Sequence, residues 1–492
     1  MTPESRFDLI VIGSGPAGQR AALQGAKGGK RVVIIEDQPL VGGACVHQGT
    51  IPSKSLRESI YRYGLSSRGA LGAELGEESS SGEKPAEKKK QLPDLKRLWR
   101  RRDRVIPNES AVIQDQLRRN GVLVVHGRGR LTGPNSVEVK SQTGTQHLEG
   151  QFIFVATGAS PVCPQQLRAD APGLILDSNT LLGMKRLPRT LVVLGAGVIG
   201  AEYASMFSIA GTQVTLVDKR TEVLASVDRE VAAQLIQRLE HEGTKIALGC
   251  EATKIEARKK RGSDEYTARV HLSNGTVVDA EKVLVCLGRA GNTAGLGLQE
   301  LGIQVDDRGL VKVDRHFATS IPSIYAVGDV VGSPALAATS YEQGRIACGH
   351  AFDFDREGKA VELEMPVNFP YGIYTIPEIS MIGKTEEQLR AEGANFVVGR
   401  ARYRELARGQ IVGDRWGLLK LLVDRDTLRI LGVHIIGDNA ADLIHIGQAV
   451  MAFDGDVRYF IRSVFNYPTL AEAYKTAAFH AYNQIHGLTR HK

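Results

Sequence analysis

The chain has 492 residues, 42% hydrophobic and 24% charged, and its 62 basic and 55 acidic residues give a formal net charge of +7. This describes a soluble globular chain of about three domains, with a core large enough to need no disulfide or metal staple. It argues against a membrane protein, since no window nears ~18 uninterrupted apolar residues, and against nucleic-acid binding, since no basic-plus-aromatic motif accompanies the modest positive excess.

Residues 1–8 lack the basic, apolar and small-residue parts of a signal peptide. Five scattered cysteines (Cys45, Cys163, Cys250, Cys286, Cys348) suit a reduced, cytoplasmic protein better than a disulfide framework. The apolar run 7–12 reads as a parallel strand buried on both faces. It leads into Gly13-Ser14-Gly15-Pro16-Ala17-Gly18, a small-residue helix and a second strand over 31–36. In such a βαβ unit the first glycine makes the tight turn, the second lets a pyrophosphate approach the backbone, and the third allows close helix packing. The pyrophosphate would sit on the helix N-terminus. Glu36, 18 residues beyond Gly18, is placed to accept from a ribose hydroxyl.

Residues 64–94 are charged and poor in apolar side chains, and are expected to form a disordered surface insertion. A helix should open at Leu95, with Leu98 and Trp99 inward and the neighbouring arginines solvated. The βαβ pattern then returns: residues 191–194, the turn Gly195-Ala196-Gly197-Val198-Ile199-Gly200, a helix, and residues 214–218. Asp218 suits the free 2′-hydroxyl of NAD, while Lys219 and Arg220 could meet the 2′-phosphate of NADP or stand as solvated loop charges. From about Pro366 a third section has a strand over 433–437 and a helical run over 440–453, but no glycine fingerprint. His434 and His445 lack partners at metal-ligand spacing and read as structural, so no metal site is expected.

Together with Thr157-Gly158 and Tyr325-Ala326-Val327-Gly328-Asp329, the two fingerprints and the segment Cys45-Val46-His47-Gln48-Gly49-Thr50-Ile51-Pro52-Ser53-Lys54 resemble the pyridine nucleotide–disulfide oxidoreductase family. Within it, the Cys45 segment, residues 372–378 and residues 465–469 are similar to the soluble pyridine nucleotide transhydrogenase branch. The resemblance implies an α/β fold with two Rossmann-like dinucleotide-binding domains, one for FAD and one for NAD(P), and a C-terminal α+β dimerisation domain. The expected division is residues 1–160 and 288–360 for FAD, 161–287 for NAD(P), and 361–492 for a homodimer or larger homo-oligomer. FAD would contact Gly13, Gly15, Pro16, Ala17, Gly18, Glu36, Gly43, Ala44, Cys45, Lys54, Thr157, Gly158, Gly328 and Asp329. The nicotinamide nucleotide would contact Gly195, Gly197, Val198, Gly200, Asp218, Lys219, Arg220 and Gly288. Val198 replaces an aromatic found in some relatives, so no tyrosine lid is expected there.

The resemblance also assigns Lys54 and Glu202 as an ion pair bearing on hydride transfer at the flavin. Two departures set the chain apart. Disulfide reductases of the family carry C-x4-C, whereas this chain offers Cys45 and Thr50. They also use a His-Pro-Thr base from the partner subunit with a glutamate five residues on. Here Tyr467-Pro468-Thr469 keeps Glu472 but replaces the base with a phenol, a poor proton shuttle near neutrality. Loss of both fits chemistry without thiol–disulfide exchange: hydride from NADPH to FAD and on to NAD, in ping-pong order through one pocket. The alternatives are a single-cysteine reductase acting through a Cys45 sulfenate or mixed disulfide, and a flavin-bound sensor or scaffold that docks a partner through the charged insertion.

Overall fold

The computed structural model describes residues 5–67, 92–259, 262, 265–354 and 364–488. β1 (Arg6–Ile12) runs into α1 (Pro16–Lys27) and β2 (Val32–Glu36). Leu9–Val11 and all of β2 are buried, as a strand covered on both faces requires. After α2 (Gly43–His47) and α3 (Thr50–Ser67) comes α4 (Leu95–Arg119), capped by Asp94, whose carboxylate accepts from Lys96 N. Leu95, Leu98 and Trp99 face inward, as their spacing predicts. Arg102 departs from a purely solvated face: its guanidinium stacks 4.1 Å over the Trp99 ring and donates to Leu182 O.

Residues 64–67, expected to open the insertion, instead finish α3. The helix continues because Gly64 packs close to Ile209 and Ser66 Oγ bonds back to Tyr63 O at 2.9 Å. Of the rest of that insertion, 68–91 lie outside the described residues, while 92–94 are ordered and lead into α4, with Asp94 as its cap.

The next four strands, β3 (Leu123–His126), β4 (Arg128–Gly133), β5 (Ser136–Ser141) and β6 (Gly144–Val155), complete a sheet ordered β3-β2-β1-β6-β5-β4. Its β3-β2-β1-β6 part is parallel. The second repeat is β7 (Thr190–Leu194), α5 (Val198–Ile209) and β8 (Gln213–Asp218), followed by α6 (Arg229–His241). Its five-stranded parallel sheet runs Lys245–Leu248, β8, β7, Lys282–Val285, Ile175–Leu176. The chain then returns to the first sheet, where Ile324–Ala326 pairs with β6, and α7 (Ala337–Ala351) packs on α1. That packing is close because Gly344 brings α7 against the Ala17 carbonyl.

The third section is a five-stranded antiparallel sheet ordered Tyr371–Ile373, Ile379–Gly383, Ile430–Ile436, Leu418–Asp424, Phe396–Arg402, flanked by the helices Ala440–Ala452 and Glu472–Ile485. The fold is thus the expected α/β architecture of two Rossmann-like units and a C-terminal α+β unit. One hydrophobic core crosses all three, with Leu56 and Ile60 of α3, Tyr203 and Phe207 of α5, and Ile373 and Ile376 packed together. Among the described residues no helix is long and apolar enough to cross a membrane.

Candidate active site

The two fingerprints fold alike. Gly13 and Gly195 have φ of +107° and +105°, and a Cβ on either would strike the carbonyl of the neighbouring parallel strand, Ala156 O or Cys286 O. Only glycine fits both constraints. Gly18 and Gly200 then lie against the Gly13 and Gly195 carbonyls and bring each helix onto its strand.

Each following helix begins at a glycine, Gly15 or Gly197, with no side-chain cap, which leaves its first N–H groups for a ligand. Nothing lies within 4 Å of a Cβ on Gly15. Pro16 and Ala17 open α1 beneath that space, and Gly43 (φ +60°) backs against Gly15 at the start of α2, next to exposed Ala44. Gly158 and Gly328 turn with positive φ, and Gly328 N donates to Gln343 Oε1 at 2.7 Å. Thr157 Oγ1 bonds Asn292 O at 2.9 Å. Burial pushes the Asp329 carboxyl above its ordinary value, against the pull of Arg289. An uncapped helix start, an open glycine cradle and a partly buried carboxylate fit the pyrophosphate and ribityl parts of FAD.

The strand-end acids are more occupied than their spacing alone suggests. Glu36 is buried, accepts from Ser14 N and Gln38 N at 2.9 Å, and bonds Ser14 Oγ. Asp218 Oδ2 accepts from Ala196 N at 2.6 Å and Arg220 Nη2 at 2.7 Å, while Oδ1 accepts from Arg220 N and Nε at 2.8 and 3.0 Å. Burial raises the Asp218 carboxyl, but the Arg220 bonds overcome it and hold it low. Arg220 is therefore neither a free phosphate-binding charge nor a merely solvated one. Its Nη2 lies 3.7 Å from where a Gly197 Cβ would sit, overhanging the second fingerprint. Lys219 is exposed beside it, Val198 is the first residue of α5, and Gly288 is exposed with φ +127°.

At the junction of the three sections, Lys54 Nζ reaches both oxygens of Glu202 at 2.8 and 3.0 Å. The Lys54 side chain is 27% exposed and that of Glu202 only 6%. Glu202 Oε1 also accepts from Tyr374 N at 2.8 Å, and the Lys54 ammonium lies 4.9 Å from the Tyr374 ring centroid. Tyr374 carries no site signal of its own in the sequence beyond lying inside the 372–378 motif.

One turn before Lys54 stands Thr50, five residues after Cys45, whose thiol is free and half-buried. Burial pushes the Cys45 thiol up, and the Thr50 hydroxyl only partly opposes this. A thiol held protonated is a weak nucleophile. A cavity of about 720 Å³ opens beside Cys45 between α1, α4 and Tyr341 of α7. Tyr467 stands 74% exposed on the third section, and Glu472 begins the last helix. Among the described residues no hydrogen bond or ion pair joins either of them to residues 45–54.

The wider comparisons agree with this architecture. Residues 7–344 match the pyridine nucleotide-disulphide oxidoreductase family, and residues 369–478 match its dimerisation domain. The chain is 44% identical over 487 residues to a soluble pyridine nucleotide transhydrogenase of Mycobacterium tuberculosis, covering 98% of this chain and 99% of that one. It is 40% identical over 489 residues to the protein of the same name from Serratia proteamaculans, covering 99% and 100%. Among solved structures it is similar to the HOCl-induced flavoprotein disulfide reductase RclA from Escherichia coli, with a TM-score of 0.82 and 27% identity over 96% of this chain and 99% of that one. Since the match runs through both nucleotide-binding units and the third section alike, the chain belongs to the pyridine nucleotide-disulphide oxidoreductase family.

Proposed function

We propose that this oxidoreductase moves a hydride between NADPH and NAD in ping-pong order, without a redox-active disulfide. Family membership makes FAD its cofactor and pyridine nucleotides its substrates. The observation that carries the reading is Thr50 in place of a second cysteine: Cys45 has no sulfur five residues on with which to pair, and all five cysteines are free. When bound, the flavin supplies a centre that accepts a hydride from one nicotinamide and returns it to another. The protein's part is to orient and stabilise. Residues 1–160 and 288–360 would hold FAD, and residues 161–287 the substrate nucleotide. Lys54 presents a fixed cation that Glu202 and Tyr374 hold in place. No side chain need move a proton at the nicotinamide carbon, because a hydride carries its proton with the electrons. Exposed Phe453 (88%), Val464 (94%) and Tyr467 (74%) on the section matching the dimerisation domain support a homodimer.

Purified holoenzyme supplied with NADPH is expected to reduce an NAD analogue well above background, and Cys45→Ser is expected to keep that rate. A rate at background would sink the reading. The cavity beside Cys45 favours a second reading, reduction of a small molecule through the lone thiol. Activity that vanishes in Cys45→Ser would select it. Arg220 bears on the choice of nucleotide. Arg220→Ala is expected to weaken NADPH roughly tenfold relative to NADH, read from the two KM values; an unchanged ratio would remove Arg220 from recognition.

A further inference from the structure

Lys54, Arg57 and Tyr61 share one face of α3, at spacings of three and four residues. Each takes its partner from a different place. Lys54 meets Glu202 on α5, Tyr61 OH donates to Asp438 Oδ2 at 2.7 Å, and Arg57 turns to residues 374–378. There Arg57 Nη1 lies 3.0 Å from Glu378 Oε1, Nη2 donates to Thr375 O at 3.3 Å, and the guanidinium stacks 4.9 Å from the Tyr61 ring centroid.

The same short segment is tied to α5 from its other side. Tyr374 N donates to Glu202 Oε1, and Ile376 N donates to Ser205 Oγ at 3.1 Å. Residues 374–378 thus form a wedge between α3 and α5, bonded alternately to each, and the Lys54–Glu202 pair spans the two helices beside it. The Arg57 side chain is 8% exposed and that of Glu378 is 15%. The pair is therefore screened little by solvent, though burial outweighs the pull of Arg57 and holds the Glu378 carboxyl above its ordinary value.

We propose that Arg57 is a positioning residue for Lys54, tying α3 to the 374–378 wedge so that the ammonium is held at one distance from Glu202 and from the flavin. This rests on the reading of Lys54 given above. The guanidinium suits the task because its fork serves a carboxylate and a carbonyl together, which a lysine point charge cannot do.

The test compares Arg57→Met, Arg57→Lys and Glu378→Gln in the flavin-loaded enzyme, each also in a Lys54→Met background. Three quantities are read: the anaerobic rate of flavin bleaching by NADPH, the flavin midpoint potential, and amide exchange across residues 50–67. Arg57→Met and Glu378→Gln are expected to slow bleaching about tenfold, shift the potential negative and speed exchange in α3, with KM for NADPH within about twofold. Arg57→Lys should recover part of the loss. In the Lys54→Met background the second substitution should add almost nothing to the rate or the potential. If Arg57→Met does not retain flavin, the nearly isosteric Glu378→Gln carries the comparison. The inference is overturned if these variants lose thermal stability while rate and potential stay put, or if they slow bleaching equally with and without Lys54. Should Lys54→Met itself leave the potential unmoved, the reading of Lys54 fails instead.

Discussion

Lys54→Met is expected to slow anaerobic bleaching of the flavin by NADPH about 10²–10³-fold, the usual loss when one preorganised electrostatic donor is removed from a reaction centre. The argument is geometric. The ammonium is fixed by both oxygens of Glu202, and Glu202 is itself fixed by Tyr374 N, so the cation is in place before any charge develops. Methionine keeps an unbranched apolar stem of similar shape and removes the ammonium, with its charge and its two bonds to Glu202. It also leaves the Glu202 carboxylate, 6% exposed, without its counter-ion. Glu202→Gln should cost less, because the amide can still hold Tyr374 N while it loses grip on the ammonium. Stopped-flow absorbance settles the point, with the flavin content of each variant measured first. A fully flavin-loaded Lys54→Met protein that bleaches at the parent rate would refute it.

Lys420→Met should give the largest loss of stability, about 3–5 kcal/mol, because it strands a buried charge. Lys420 is 1% exposed and Asp228 is fully buried. The ammonium lies 2.8 Å from Asp228 Oδ1, 3.2 Å from Glu230 and 2.6 Å from Glu386. Asp228 and Glu230 come from the start of α6, Glu386 and Lys420 from the third section, so the cluster is an ionic knot between two units. Asp228 also caps α6 by accepting from Glu230 N. Burial raises the Asp228, Glu230 and Glu386 carboxyls, but His434 and Lys420 at Asp228, Arg400 and Lys420 at Glu230, and Lys420 and Arg390 at Glu386 overcome it and hold all three below their ordinary range.

The sign of the pH effect follows. Carboxyls whose folded values are depressed contribute stability that is complete above about pH 4–5 and is lost as pH falls through those lower folded values. The gap between parent and Lys420→Met should therefore be widest near neutrality and narrow in acid. Adding Asp228→Asn to Lys420→Met should recover part of the loss, since asparagine still caps the helix. Denaturant midpoints across pH measure both effects. A gap that widens on acidification would contradict the assignment.

Much of the fold was legible because its signals are local. A turn that admits only glycine, an apolar run before it and an acid at the next strand end mark each βαβ unit within residues 7–36 and 191–218, and both appear where the pattern puts them. The junction was less legible. Lys54 and Glu202 are 148 residues apart in sequence, and only the family resemblance suggested linking them. Arg57 and Glu378 carry no motif that predicts their meeting; the contact exists because three units share one core. Composition misplaced the start of the insertion for a related reason. Residues 64–67 look polar and mobile in isolation, yet Gly64 is buried against Ile209, a contact the local sequence does not contain, and α3 runs on to Ser67. Spacing found Asp218 and Arg220 but not their mutual bond.

That bond has a kinetic consequence. A carboxylate already engaged by four donors, three of them from Arg220, has no vacant acceptor, so a dinucleotide whose sugar meets Asp218, as proposed, would have to win its place from the arginine. The arginine regains that place when the dinucleotide departs. Whichever coenzyme arrives, part of its grip is repaid as an internal bond on leaving, which lowers the barrier to dissociation. Under the ping-pong order proposed above, in which one site is emptied of a spent coenzyme before another enters, such loose tenancy would raise throughput.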